Sequence, residues 1–279
     1  MNEKYELTEE FKEIETLREG WLQKIKVYRI RALRAFADVK IGDLGGFVET
    51  KQNLSNMGNA WVYGDARVYG DARVYGDAWV RDNAEVCNNA RVRDNAWVYG
   101  DAEVCGDAEV CNNARVCDNA EVCGDAEVCN NARVCDNARV CDNARVRDNA
   151  WVCGDAWVRD NARVCNNARV YGNARVCDNA KVYGNAEVCG DAEVYDNANI
   201  FWCSSIGSRH ATTTMFRNKD NGITVTCGCF MGTLEEFAER VEKEHGENIF
   251  GKEYKLLIEL AKIHFGLQDE TKGEEENGI

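Results

Sequence analysis

The chain has 279 residues, no proline, fifteen cysteines and a formal net charge of −14. Residues 1–55, 56–200 and 201–279 carry net charges of 0, −9 and −5. That balance excludes general phosphate-backbone binding, which needs a basic footprint, and argues against an anionic membrane surface. No apolar run approaches the roughly 20 residues of a membrane span, and the charged opening MNEKYELTEEFKEIETLREG does not read as a signal peptide. The expected location is the cytoplasm, with neither nucleic acid nor membrane as partner. The odd cysteine count then reads as reduced thiols, not a disulfide framework.

Residues 1–55 read as an N-terminal cap. Residues 5–20 are expected to form a weakly amphipathic helix, and residues 25–30 alternate as a strand does. The glycines and aliphatics of residues 32–48 predict an irregular first coil over the open end of a core. Residues 54–59 slip register once before a regular array begins.

The array occupies residues 56–200. From Val62 to Ile200 an aliphatic residue stands at every sixth position, giving 23 hexads without insertion or deletion. The unit is V-x-[GDN]-[DN]-A-x, as in Val62-Tyr63-Gly64-Asp65-Ala66-Arg67. A fixed short period is the signature of a solenoid. Within each unit Ala60 and Val62 point in while Trp61 and Tyr63 point out, because strand side chains alternate. Gly, Asp and Asn then turn the chain, being the types that tolerate positive φ. Three sides close a coil of eighteen residues. Stacked at the roughly 4.8 Å strand spacing, nearly eight coils give a rod roughly 37 Å long.

Residues eighteen apart share a column. The first outer face carries Trp61, Trp79 and Trp97 beside Tyr63 and Tyr99. This aromatic strip is a candidate interface for self-association or a protein partner; the alternative is in-register stacking partly covered by the N-terminal segment. On the second face Glu85, Glu103 and Glu121 stack like charges. Twelve cysteines occupy the position after Val. Cys87, Cys105, Cys123 and Cys141 share one column, and Cys117, Cys135 and Cys153 another. Thiols so close invite a metal or redox reading. Against it, Cys alternates there with Tyr and Arg, residues one codon transition apart, as expected of a duplicated array drifting at its outward sites.

Residues 201–267 form a small α+β domain. Strands at 212–216 and 223–227 join through Asn221-Gly222, a hairpin signal. Thr233 caps a helix with Glu236 in the capping-box position, and Gly246 ends it. A second helix buries Tyr254, Leu257, Ile258, Ala261 and Phe265. Ser208, Arg209, His210, Thr212, Thr214 and Cys229 are candidate ligand-binding residues, a donor-rich cluster suited to an anion or nucleotide. Cys203, His210, Cys227 and Cys229 are weak zinc candidates, because Cys227-Gly228-Cys229 is tighter than the usual two-residue gap. No metal or cofactor is therefore assigned. The acidic tail, residues 268–279, is expected to be disordered.

Residues 28–33, 42–48, 53–55, 207–209 and 228–234, together with the array, resemble phage and prophage hexapeptide-repeat proteins, whose function is unassigned. The array also resembles the left-handed parallel β-helix of the trimeric LpxA-like superfamily of hexapeptide acyltransferases. That resemblance implies the left hand, against the usual crossover rule, and a trimer by analogy. The acyltransferases use a histidine on a loop or coil, yet no His occurs before His210, so their general base is missing from the helix. The expected fold is an all-β parallel β-helix of about eight coils with an N-terminal cap and a small α+β C-terminal domain. The expected function is a non-catalytic scaffold or interaction module. Small-molecule binding by the C-terminal domain and an acyltransferase are the alternatives.

Overall fold

The hexad folds as its residue types require. In the computed structural model, which describes residues 3–18 and 20–267, each array unit is a two-residue strand ending in Val, followed by a tight corner. All 22 first-corner positions from residue 64 to 190 are Gly, Asp or Asn, with φ between 54° and 76°. These are the types that accept left-handed backbone at least cost. The valines and alanines from Ala60 to Val194 are at most 1% exposed and form one continuous core.

Strands three apart in sequence pair in parallel, so the array has three sheets. Register is strict: Val122 lies on Val140 and Val104 on Val122. Each coil donates backbone hydrogen bonds to the next, for example Glu121 N to Ala138 O at 3.0 Å and Cys123 N to Val140 O at 2.9 Å.

The ladder begins earlier than the hexad pattern. Strand β3 (Leu44–Val48) pairs Val48 with Val68, and Leu54 bridges Val74. Val48 to Leu54 is a normal hexad, whereas Leu54 to Val62 spans eight residues, so the register slip is a two-residue insertion. Gly46 stands in β3 because a Cβ there would lie 2.6 Å from the Ala66 carbonyl of the next coil.

The helix expected over residues 5–20 is instead strand β1 (Tyr5–Arg18), antiparallel to β2 (Trp21–Ala32). Glu, Lys and Leu give the segment helix propensity, but pairing wins. Ile14 faces Ile25, Glu13 faces Lys26 and Glu15 faces Lys24 across the ladder. Strand β2 continues onto β3, so the hairpin extends the second-face sheet to eleven strands. Val27 packs with Phe47, Tyr69 and Cys87 on the outside of that face.

The far end also departs from the expectation. The ladder stops at Val194, and Ile200, though 2% exposed, opens strand β4 (Ile200–Ile206) of a separate sheet. That sheet has four antiparallel strands, not one hairpin: β4, β5 (Ala211–Arg217), β6 (Ile223–Cys227) and β7 (Phe230–Thr233). Helix α1 (Leu234–His245) has the capping box between Thr233 and Glu236 and ends at Gly246; α2 (Ile249–Phe265) follows. The five expected α2 residues are all buried. The acidic tail lies outside the described residues.

Candidate functional site

The N-terminal cap changes the aromatic strip. Trp61 is 0% exposed, covered edge-on by Tyr5 and Phe36 at ring distances of 6.1 and 5.3 Å. Its indole N–H has no partner, so the burial carries a polar cost. Trp79 and Trp97 stack at 5.1 Å and are half-buried, with Tyr63 against Trp79 and Arg81 over Trp97 and Tyr99. Tyr63 also donates to Asp38 at 2.9 Å. The five residues are thus not one outward surface. Trp61 is core, and the others form a stacked ladder edged by arginine. This arrangement is the alternative expected from the sequence, in-register stacking with the strip partly covered by the N-terminal segment.

The C-terminal sheet closes the other end of the core. Phe216 belongs to the solenoid core, and Trp202 packs edge-on against Tyr183 at 4.4 Å. Thr214 is 1% exposed; its hydroxyl accepts the Glu187 N–H at 3.0 Å, while the Thr226 hydroxyl donates to the Glu187 carbonyl at 3.3 Å. Thr214 is therefore a docking residue that satisfies the last coil's unpaired backbone, not a ligand donor. The Thr212 hydroxyl pairs with Ser204 at 3.0 Å.

Beyond the cap, β6, β7 and α1 enclose a cleft of about 700 Å³. Ser208, Arg209 and Cys229 line it; His210, Thr212 and Thr214 do not. Helix α1 adds Arg240, Lys243 and His245, opposed by Glu236, Glu239 and Glu244, and α2 adds Tyr254. These helix residues were not foreseen, because an exposed charged helix face reads as solvated surface. The Tyr254 phenol is raised above its ordinary pKa, chiefly by burial and then by hydrogen bonding to Cys227, 3.7 Å away. Cys227 also accepts from the Thr213 hydroxyl at 3.2 Å.

The zinc candidates do not converge. Cys203 contacts the Ser204 carbonyl, Cys227 faces Thr213 and Tyr254, and Cys229 is exposed. Among the described residues, the groups with ligand atoms within 4.8 Å of one another all lie in the solenoid columns: Cys87–Glu103–Cys105, Cys117–Asp118–Cys135, Glu121–Cys123–Cys141 and Cys135–Asp136–Cys153. All fifteen cysteines are free thiols.

The two outer glutamates of the stack are compensated along the column, from the coils on either side. Arg67 reaches Glu85 at 3.3 Å and Arg139 reaches Glu121 at 3.4 Å, leaving Glu103 between two paired neighbours. Exposed pairs of this kind contribute little individually. The corner asparagines add ladders unforeseen in the sequence. Asn83 donates to Asp101, Asn130 to Asp148 and Asn137 to Asp155, at 2.8–2.9 Å.

The continuous parallel ladder, with residues eighteen apart in register, defines a β-solenoid repeat protein. Three stretches of the array, residues 66–82, 138–154 and 162–178, match the family model described as YdcK beta solenoid repeat, and the chain is similar to that repeat there. No curated protein matches the chain.

Proposed function

We propose that this protein is a non-catalytic rigid spacer of the phage and prophage hexapeptide-repeat type, built to hold two dissimilar ends apart. The carrying observation is a ladder uninterrupted from Val62 to Val194, its inward and corner chemistry constant and its outward columns variable. Solenoid coils contact only their neighbours, so length can change without remaking the fold. The N-terminal hairpin and the C-terminal sheet supply unlike ends, each suited to a protein partner. Self-association, as a trimer by analogy with the acyltransferases, belongs to the same reading. So does a cytoplasmic location, where fifteen free thiols stay reduced. The array contains no histidine, which removes the acyltransferases' usual base and supports a non-catalytic role.

Deleting residues 104–121 tests this. The cut joins Glu103 to Val122 and preserves phase, column identity and both caps. The shortened protein is expected to fold cooperatively, with a melting temperature within about 5 °C of the parent. Failure to fold would sink the spacer reading.

The cleft supports a second reading, in which the C-terminal domain holds a small anionic ligand such as a nucleotide. The observation favouring it is that Arg209, Arg240, Lys243 and His245 line one cavity. Thermal-shift measurements of the full chain with nucleotides should then show stabilisation that Arg209→Ala reduces. Absence of any shift removes this reading.

A further inference from the structure

The cysteine column on the second face is not used by the spacer function. Parallel in-register pairing places Cys141 directly over Cys123, and Glu121 lies two residues before Cys123 on the same outer face. The two sulfurs and a Glu121 carboxylate oxygen lie within 4.8 Å of one another, and all three side chains are half-buried. Beside them opens a cleft of about 210 Å³, lined by Glu121, Cys141, Arg139, Asp142, Trp157 and Arg159. The neighbouring group Cys87–Glu103–Cys105 differs: Cys87 is 4% exposed beneath Val27, Phe47 and Tyr69.

We propose that Glu121, Cys123 and Cys141 form a binding site for a thiophilic divalent cation of the zinc class, with a fourth position open to the cleft. Two thiolates and one carboxylate are a borderline-soft donor set of the kind zinc takes. Metal–sulfur bonds of about 2.3 Å and metal–oxygen bonds of about 2.1 Å place tetrahedral donors roughly 3.5–3.8 Å apart. The observed spread therefore needs only side-chain rotation, on a backbone already held in register. The ladder also disfavours the competing disulfide, because in-register parallel neighbours aim their Cβ atoms alike.

Charge favours the site. Three anionic donors and a divalent ion leave one net negative charge, and Arg139 and Arg159 stand beside it. Arg139 contacts one Glu121 oxygen at 3.4 Å, and a carboxylate has a second. Thiolate is the form that binds metal. Binding therefore releases the thiol protons to solvent.

The test is titration of the reduced full-length protein with Co²⁺, read through thiolate charge-transfer and tetrahedral d–d absorption, with Zn²⁺ displacing it. The variants are Cys123→Ser/Cys141→Ser, Glu121→Gln and Cys165→Ser, the last a thiol with Arg147 and Tyr183 as its column neighbours. Wild type and Cys165→Ser should take up equal numbers of ions and the double variant one fewer. Glu121→Gln should keep a thiolate band at weaker affinity. The proposal falls if wild type shows no saturable band, if the double variant binds as many ions, or if Cys165→Ser loses an ion as readily. Circular dichroism checks folding. Should the double variant not fold, Glu121→Gln decides, and unchanged affinity overturns the site. Because residues 104–121 end in Glu121, their deletion puts Glu103 before Val122-Cys123 and retains the donor set. The spacer reading and this one can therefore fail separately.

Discussion

Lys4 seals the open end of the core at the scale of a single side chain. It is 0% exposed, its ammonium donates to the Ala60 carbonyl at 2.8 Å, and it lies 5.1 Å from the Phe36 ring. Burial, aided by Arg34 and opposed by Asp77, lowers its pKa to about 8. A lysine depressed in the folded state binds fewer protons there than in the unfolded chain. Between pH 8 and its ordinary 10.5 its contribution to stability therefore rises with pH. Below pH 8 the whole cost of burying the charge is present, on the order of 2–3 kcal/mol. Denaturant unfolding of wild type and Lys4→Met at pH 7.5 and 10 should show the variant's relative stability falling at the higher pH. An unchanged difference would show that Lys4 titrates normally. The solenoid thiols titrate in both proteins and cancel.

At the scale of elements, legibility followed the range of the interactions. The hexad was readable because its determinants are local: Val inward, Ala beside it, and a left-handed corner that only Gly, Asp and Asn fill cheaply. The capping box of α1 and the buried face of α2 were readable for the same reason. Strand β1 was not, since a glutamate-rich segment is helical by propensity and extended only when Lys24, Ile25 and Lys26 lie opposite it. Strands β4 and β7 were missed because each is defined by its neighbours in the sheet. The hairpin's role as a lid yields a prediction. Tyr5, Ile30 and Ala32 belong to the solenoid core, and Tyr5 covers Trp61. A chain beginning at residue 33 should melt at least several degrees lower and self-associate through its uncovered end. Scanning calorimetry and light scattering read both effects. A monomer of unchanged melting temperature would mean that β3 alone closes the core.

At the scale of the whole molecule, site residues were legible only where the period placed them. Counting by eighteen put Cys123 beneath Cys141 and Trp79 beneath Trp97, and the structure keeps both pairs. No such arithmetic reaches the C-terminal domain. Ser208, Arg209 and Cys229 meet Arg240, Lys243 and His245 only because β6, β7 and α1 fold together. Thr214, equally polar in sequence, is consumed in docking that domain onto the last coil.

Three hexads make a coil, and this separates two consequences of changing the array's length. Losing or gaining three units alters reach by roughly 4.8 Å and leaves every column in line. Losing or gaining one unit preserves the core and the corners, yet turns everything beyond it by about a third of a revolution. A gene that slips by eighteen codons tunes distance alone. One that slips by six re-aims the C-terminal cleft relative to the N-terminal hairpin, so that heading and extension can be inherited independently.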